Sequence, residues 1–187
     1  YEYPNGIYFG GQSIEPNVPL IKKEFKRRGH DYESILQIDL HTGYGARGEL
    51  HYFINNEIIE ASPALQKLFA GYNIDTEKKT DFYKTSGDFA TFNLKLFPRK
   101  TVIPMVFEFG TMDSQTILGS FQSLKNMIYE NQGFHYGYSS SQSKQRTQEQ
   151  FLDMFNPSDK KWRDQVLKKA KIELNQLLER YSQLEVH

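Results

Sequence analysis

The run 102-VIPMVFEFGT-111 constrains this chain more than any other stretch of its sequence. It is apolar almost throughout, interrupted by one acid, Glu108, and it ends in Gly110. A strand of this kind has no face to give to water, so it belongs inside a sheet with helices packed on both sides. A second strand is legible at 35–40, where apolar and polar residues alternate with period two before His41 and a turn holding Gly43, Gly45 and Gly48. Both strands therefore deliver one chemically capable side chain, His41 or Glu108, just ahead of a glycine-bearing turn. In open α/β sheets that is the edge where ligands bind.

The remaining text fits around these strands. Residues 17–28 read as a helix, with Asn17 as a candidate cap, Pro19 in the first turn and Gly29 as the stop. A short strand follows at 50–54, then a helix from Pro63 carrying Leu65, Leu68 and Phe69, ended by Gly71. The stretch 73–79 reads as polar loop, and 81–98 as a turn at Ser86-Gly87-Asp88 followed by apolar alternation. Ile117, Phe121, Leu124 and Ile128 recur at helical spacing and predict a stripe facing the core. Residues 137–150 are polar, low in complexity and expected to be a mobile loop. A closing helix over 157–181 buries Trp162, Val166, Ala170, Leu174, Leu177 and Tyr181, capped by Ser158 or Asp159. The order helix, strand, helix, strand, helix predicts one α/β domain over residues 1–187.

Charge and composition remove several functions. Lys plus Arg number 23 and Asp plus Glu number 23, so the net charge is zero and the basic excess of a nucleic-acid binder is missing. No apolar run is long enough for a membrane span. Cysteine is absent, which removes disulfides, thiolate metal sites and thiol nucleophiles. The compartment stays open, with a lean to the cytoplasm. The 12 tyrosines and 14 phenylalanines are many for this length, and several fall in loops, where aromatics can line a substrate cleft.

A carboxylate at Glu108, among Met105, Val106, Phe107 and Phe109, loses hydration unless a cation or donors hold it. It is then either structurally paired or set for proton transfer. Together, a strand-end histidine and a strand-end glutamate suggest metal-assisted hydrolysis, the imidazole as a ligand and the carboxylate as the base acting on water. Asp39, on the face of His41, is a candidate to orient the ring. His30 and Glu33 have an H-x-x-E spacing but sit in a loop; His51 reads as structural, and His135, beside Tyr136 and Tyr138, as a cleft-lining candidate.

The motifs 38-IDLHTG-43, 83-YKTSGD-88 and 104-PMVFEFGT-111, in that order and followed by 157-PSDKKW-162, resemble the C-terminal portion of a zinc carboxypeptidase, closest to a bacterial branch of that family. The resemblance spans nearly the whole chain. It implies a mixed sheet flanked by helices, incomplete at the N-terminus. Residue by residue, it implies that His41 is a zinc ligand, Glu108 the general base, and Tyr83 a substrate-covering tyrosine. It places Asp88 to Ala90 near the side-chain pocket. The family's remaining zinc ligands and substrate-gripping arginines have no match here and are expected N-terminal to this chain, so the missing portion of the polypeptide is an expected partner; Arg47 is the arginine nearest His41. The expected reaction is hydrolysis of an amide bond near a carboxyl end, in a peptide or small amide, with neither nucleic acid nor membrane as partner. An acyl-amino-acid amidase on the same scaffold and a non-catalytic binding module without the metal are the alternatives.

Overall fold

A computed structural model of the chain describes residues 3–54, 60, 63–72, 74–75, 89 and 91–184. The elements are α1 (Val18–Gly29), β1 (Ser34–Gly43), β2 (Leu50–Phe53), α2 (Pro63–Leu68), β3 (Ile74–Asp75), α3 (Phe92–Leu96), β4 (Thr101–Gly110), α4 (Ile117–Tyr136), α5 (Ser141–Asp153) and α6 (Lys160–Ser182). The fold is α/β. The sheet has the order β1-β4-β2-β3, three longer strands plus the two-residue β3.

Pairing directions follow from individual bonds. The Thr101 amide donates to Glu33 O (3.1 Å) and the Thr111 amide to Gly43 O (3.2 Å), so one register runs along both strands and β1 is parallel to β4. β2 and β3 are also parallel, with Tyr52 opposite Ile74 and Phe53 opposite Asp75. Between β2 and β4, the Gly48 amide donates to Gly110 O (2.8 Å) while the Gly110 amide donates to Glu49 O (2.9 Å). Two residues thus face one. Gly48 takes φ +76°, which makes this a glycine bulge at the mouth of an antiparallel pair. The sheet is therefore mixed, and β4 lies inside it, as its apolar text demands.

The chain forms two compact units. The first contains Tyr1–Pro16, Thr42–Glu49 and Phe109–Val166; the second contains Asn17–His41, Leu50–Glu108 and Leu167–His187. The second unit holds most of the buried apolar side chains, while Phe109, Met154 and Trp162 are buried in the first. Ile103, Met105 and Phe107 of β4 and Leu177 of α6 are fully enclosed, with Leu65, Leu68 and Phe97 beside them in the buried set. Each such side chain contributes roughly 1.5–3 kcal/mol by leaving water. Phe107 meets Tyr52 edge to face, with centroids 5.2 Å apart, and Tyr52 meets Tyr72 in the same way at 5.0 Å. Gly29 closes α1 through space rather than backbone geometry: a Cβ there would lie 2.6 Å from Phe97 Cζ. The turn after it is held by Lys100, whose ammonium donates to the carbonyls of Gly29 (2.9 Å), His30 (2.6 Å) and Tyr32 (2.6 Å). Asn17 occupies the position before α1, but its side chain makes no capping bond.

The first unit departs from the sequence expectation at α4. The helix is where the spacing puts it, yet three of the four stripe residues face outward: Ile117 is 92% exposed, Phe121 67% and Leu124 41%, while Ile128 is half-buried. Its inner face carries Gly119, Asn126 and Gly133. Asn126 donates to Gln150 O (3.3 Å) and accepts from Gln122 (2.8 Å), so small and polar groups form the contact with α5. Helical spacing states which residues share a face, not which face a neighbour covers. α5 is itself the second departure, because residues 141–153 form a helix instead of a mobile loop. Its Gln, Lys, Arg and Glu residues favour helix, and Ser140 caps it by accepting from the Ser143 amide at 3.0 Å.

Smaller departures lie elsewhere. Ile74–Asp75 pairs as a strand within the stretch expected to be loop, and 92–96 is a helical turn in place of apolar alternation. β1 runs two residues beyond His41, to Gly43, so His41 is not the last rung. Among the described residues no helix is long and apolar enough to cross a membrane.

Candidate active site

β1 and β4 are neighbours in register, and this is what brings the two singled-out side chains together. His41 Nδ1 lies 3.5 Å from Glu108 Oε2. Two residues before His41, and so on the same face of β1, Asp39 places Oδ2 3.0 Å from His41 Nε2. All three belong to the second unit. The imidazole is half exposed, whereas the Asp39 and Glu108 side chains are only 13% and 11% exposed. One ring thus bridges two nearly buried carboxylates, each of which has given up most of its water.

The electrostatics follow from that arrangement. The hydrogen bond to Glu108 raises the His41 pKa most strongly; partial burial opposes the rise, and the negative charge of Asp39 adds to it. Asp39 acts chiefly through charge, because its buried Oδ2 makes no hydrogen bond of good angle despite the 3.0 Å approach. Both carboxylates therefore favour the protonated ring, against the opposing effect of its partial burial. A divalent cation would take the neutral ring instead, releasing a proton.

A catalytic zinc site requires three protein ligands and an open position. Of the two ring nitrogens of His41, Nε2 lies beside Asp39 without a well-aligned hydrogen bond and Nδ1 faces Glu108, so a metal bound to the ring would take one of them in place of its carboxylate. Among the described residues no group of three or more His, Asp or Glu side chains is placed to hold a metal ion. His30 does not join the site; its Nδ1 pairs with Asp31 Oδ1 at 2.7 Å, both side chains being 83% exposed. His51 stacks on Phe53 along β2, and His135 packs between Phe134 and Tyr136 on α4. Tyr83, Asp88, Ala90 and His187 lie outside the described residues.

The turns beyond the site are densely bonded within the first unit. Thr111, 1% exposed, places its hydroxyl 3.0 Å from Gly43 O and 2.5 Å from Met154 O. Arg47, the arginine nearest His41 in sequence, is committed to backbone and helix: its guanidinium donates to Thr111 O (2.6 Å) and to Asp159 Oδ2 (3.3 Å). Asp159 also accepts from the Lys161 amide (2.9 Å), and this bond foremost holds its carboxyl below the usual range. Trp162 donates its indole N–H to Gly110 O at 2.9 Å. Gly110 admits no side chain, since a Cβ would lie 2.0 Å from Ala46 O.

A family model described as "Protein of unknown function (DUF2817)" matches residues 1–169. The chain belongs to this family. No curated protein and no solved structure matches it. The DUF2817 match takes in Asp39, His41 and Glu108 together with the start of α6 at 157–162. The Trp162 and Asp159 contacts are what sequence reasoning missed. Their motif was visible as text, but nothing in the text says that it reaches Gly110 at the end of β4 and Arg47 in the glycine turn.

Proposed function

We propose that this DUF2817 chain carries part of the site of a zinc-dependent hydrolase of carboxypeptidase type, acting on an amide bond near a carboxyl end. The observation that carries the reading is the convergence of Asp39 and His41 from β1 with Glu108 from β4. When bound, zinc would acidify a water molecule and polarise the substrate carbonyl. His41 is the ligand assigned to these residues, and Asp39 acts on the ring chiefly through its charge. Glu108 is the base: its carboxylate, almost withdrawn from solvent, takes the proton of the attacking water and returns it to the leaving amine. Tyr83 and Asp88 are assigned to substrate contact on the family resemblance. The other ligands come from outside the described residues.

The test is Glu108→Gln in a hydrolytically active polypeptide containing this chain. The substitution keeps shape and removes the base, so zinc content is expected to hold while kcat falls by roughly 10²–10⁴-fold. Activity near the parent level against every cleaved substrate would end the base assignment. Calorimetry of the 187-residue chain with zinc addresses the ligand set. Weak binding is expected from one assigned ligand, and stoichiometric micromolar binding would place the full set within this chain.

A further inference from the structure

Two buried amide side chains beside the site take no part in the chemistry proposed for it. Gln37 precedes His41 by four residues on β1, so it shares the face of Asp39 and His41, and it is only 8% exposed. Its amide nitrogen donates to Phe89 O at 2.7 Å, and its amide oxygen accepts from Asn93 Nδ2 at 2.9 Å. The direction of this relay is forced. A carbonyl only accepts, so Gln37 turns its nitrogen to Phe89 and its oxygen to Asn93. Asn93, 5% exposed, keeps its own Oδ1 buried without a hydrogen bond from the described residues. Apolar side chains would fill the same space without that penalty. What the pair secures is the start of α3, because Phe89 O also accepts the Phe92 amide at 3.2 Å. All these residues lie in the second unit, as do Asp39, His41 and Glu108.

The segment seated in this way carries aromatic rings. Phe89 stacks on Phe92 with centroids 6.0 Å apart and lies 5.8 Å from Phe25 of α1, and Phe25 meets Phe92 edge to face at 6.2 Å. Phe97 and Phe107 of the same unit are sealed at 8% and 0% exposure, but Phe89 stays 44% exposed. Along β1, a rise of about 3.3 Å per residue sets Gln37 about 7 Å from Asp39. A substrate amide at His41 and Glu108 can therefore run a side chain past Asp39 toward these rings. We propose that Phe25, Phe89 and Phe92 form an apolar subsite of the proposed site, seated on β1 by Gln37 and Asn93, which receives a large apolar or aromatic side chain of the amide substrate. Rings at these separations offer both faces and edges to a further ring. A seat fixed by buried hydrogen bonds forms the subsite before substrate arrives, which lowers the ordering cost of binding.

The inference rests on the proposed function in calling this a site, but its test needs no hydrolysis. The full 187-residue chain is titrated with N-acetylphenylalanine and, separately, with N-acetylserine, while backbone amide signals are followed by NMR. The aromatic probe is expected to shift the Phe89 and Phe92 signals saturably at millimolar concentration, and the serine probe to leave them in place. Phe121 and Phe134 of α4, more exposed than Phe89, are the control for mere adhesion and are expected not to saturate. Saturation at α4 with the same midpoint, an equal response to both probes, or no response at Phe89 would overturn the subsite. Phe89→Ser is expected to weaken the aromatic probe at least about tenfold, and Phe89→Leu to retain most of its affinity. Parent-level binding in Phe89→Ser would also overturn the subsite. Gln37→Met keeps the volume and deletes the donor to Phe89 O, so the same titration is expected to weaken; parent-level binding there would overturn the anchoring role. Should Gln37→Met fail to fold, Gln37→Asn, too short to reach Phe89 O, decides in its place by the same outcomes. Retained hydrolysis in Glu108→Gln would remove the base assignment alone, whereas an unmoved Phe89 here would remove the subsite alone.

Discussion

At the scale of the residue, His41 gives the chain a pH dependence whose sign is fixed by its neighbours. Glu108 and Asp39 raise its pKa above the ordinary 6.5, so the folded state holds the ring's proton more tightly than the unfolded state does. The resulting stabilisation is complete below about 6.5 and is lost as pH rises through the raised value. Solvent reaches half the ring, which screens the effect and keeps it small. Calorimetric melting of the parent chain is expected to show a falling midpoint across that window, and His41→Asn a flatter one. Identical curves for the two proteins would refute the pairing. The neighbourhood of His41 was only half legible in the sequence. Period two put Asp39 on its face, and a strand end before a glycine turn marked both His41 and Glu108. That β1 and β4 would be adjacent and in register, bringing the ring to 3.5 Å from the carboxylate, is set by sheet order, which neither strand encodes locally.

At the scale of the element, the close of α1 shows two devices that periodicity cannot register. Gly29 is the last residue of α1, and its role there is room for Phe97 and Ile35, whose atoms would lie 2.6 and 3.1 Å from an added Cβ. Gly29→Ala is expected to lower stability by about 1–3 kcal/mol through overpacking, measurable as a lower urea midpoint at unchanged slope. Lys100 sits in sequence like any surface lysine, yet its three carbonyl bonds fasten the turn between α1 and β1. Lys100→Met is expected to cost about 1.5–3 kcal/mol. A loss below about 0.5 kcal/mol would mean that water replaces the ammonium without penalty. α5 was hidden for a different reason. Its residues are helix formers without an apolar stripe, so the sequence offers propensity but no periodicity, and propensity alone is the weaker signal.

At the scale of the whole molecule, a net charge of zero meets the exposed apolar stripe of α4, and the two together govern how the chain behaves in solution. Little electrostatic repulsion opposes contact through Ile117 and Phe121 near neutral pH. Light scattering of concentrated chain is expected to peak near neutrality and to fall in Phe121→Gln, with folding stability changed by less than about 0.5 kcal/mol. A variant that scatters as strongly as the parent would show that the stripe is not the adhesive surface. The parallel pairing of β1 with β4 has its own consequence, in the order of events during folding. Gly43 and Thr111 meet across 68 residues. Helices such as α4 and α5 can form in microseconds, but that meeting waits on non-local closure. Asp39 and His41 therefore find Glu108 late, after most local structure exists. Lengthening the connection between the strands by half would raise the closure cost by only about 0.4 kcal/mol. The finished fold would scarcely register the change, while the three side chains would take longer to meet.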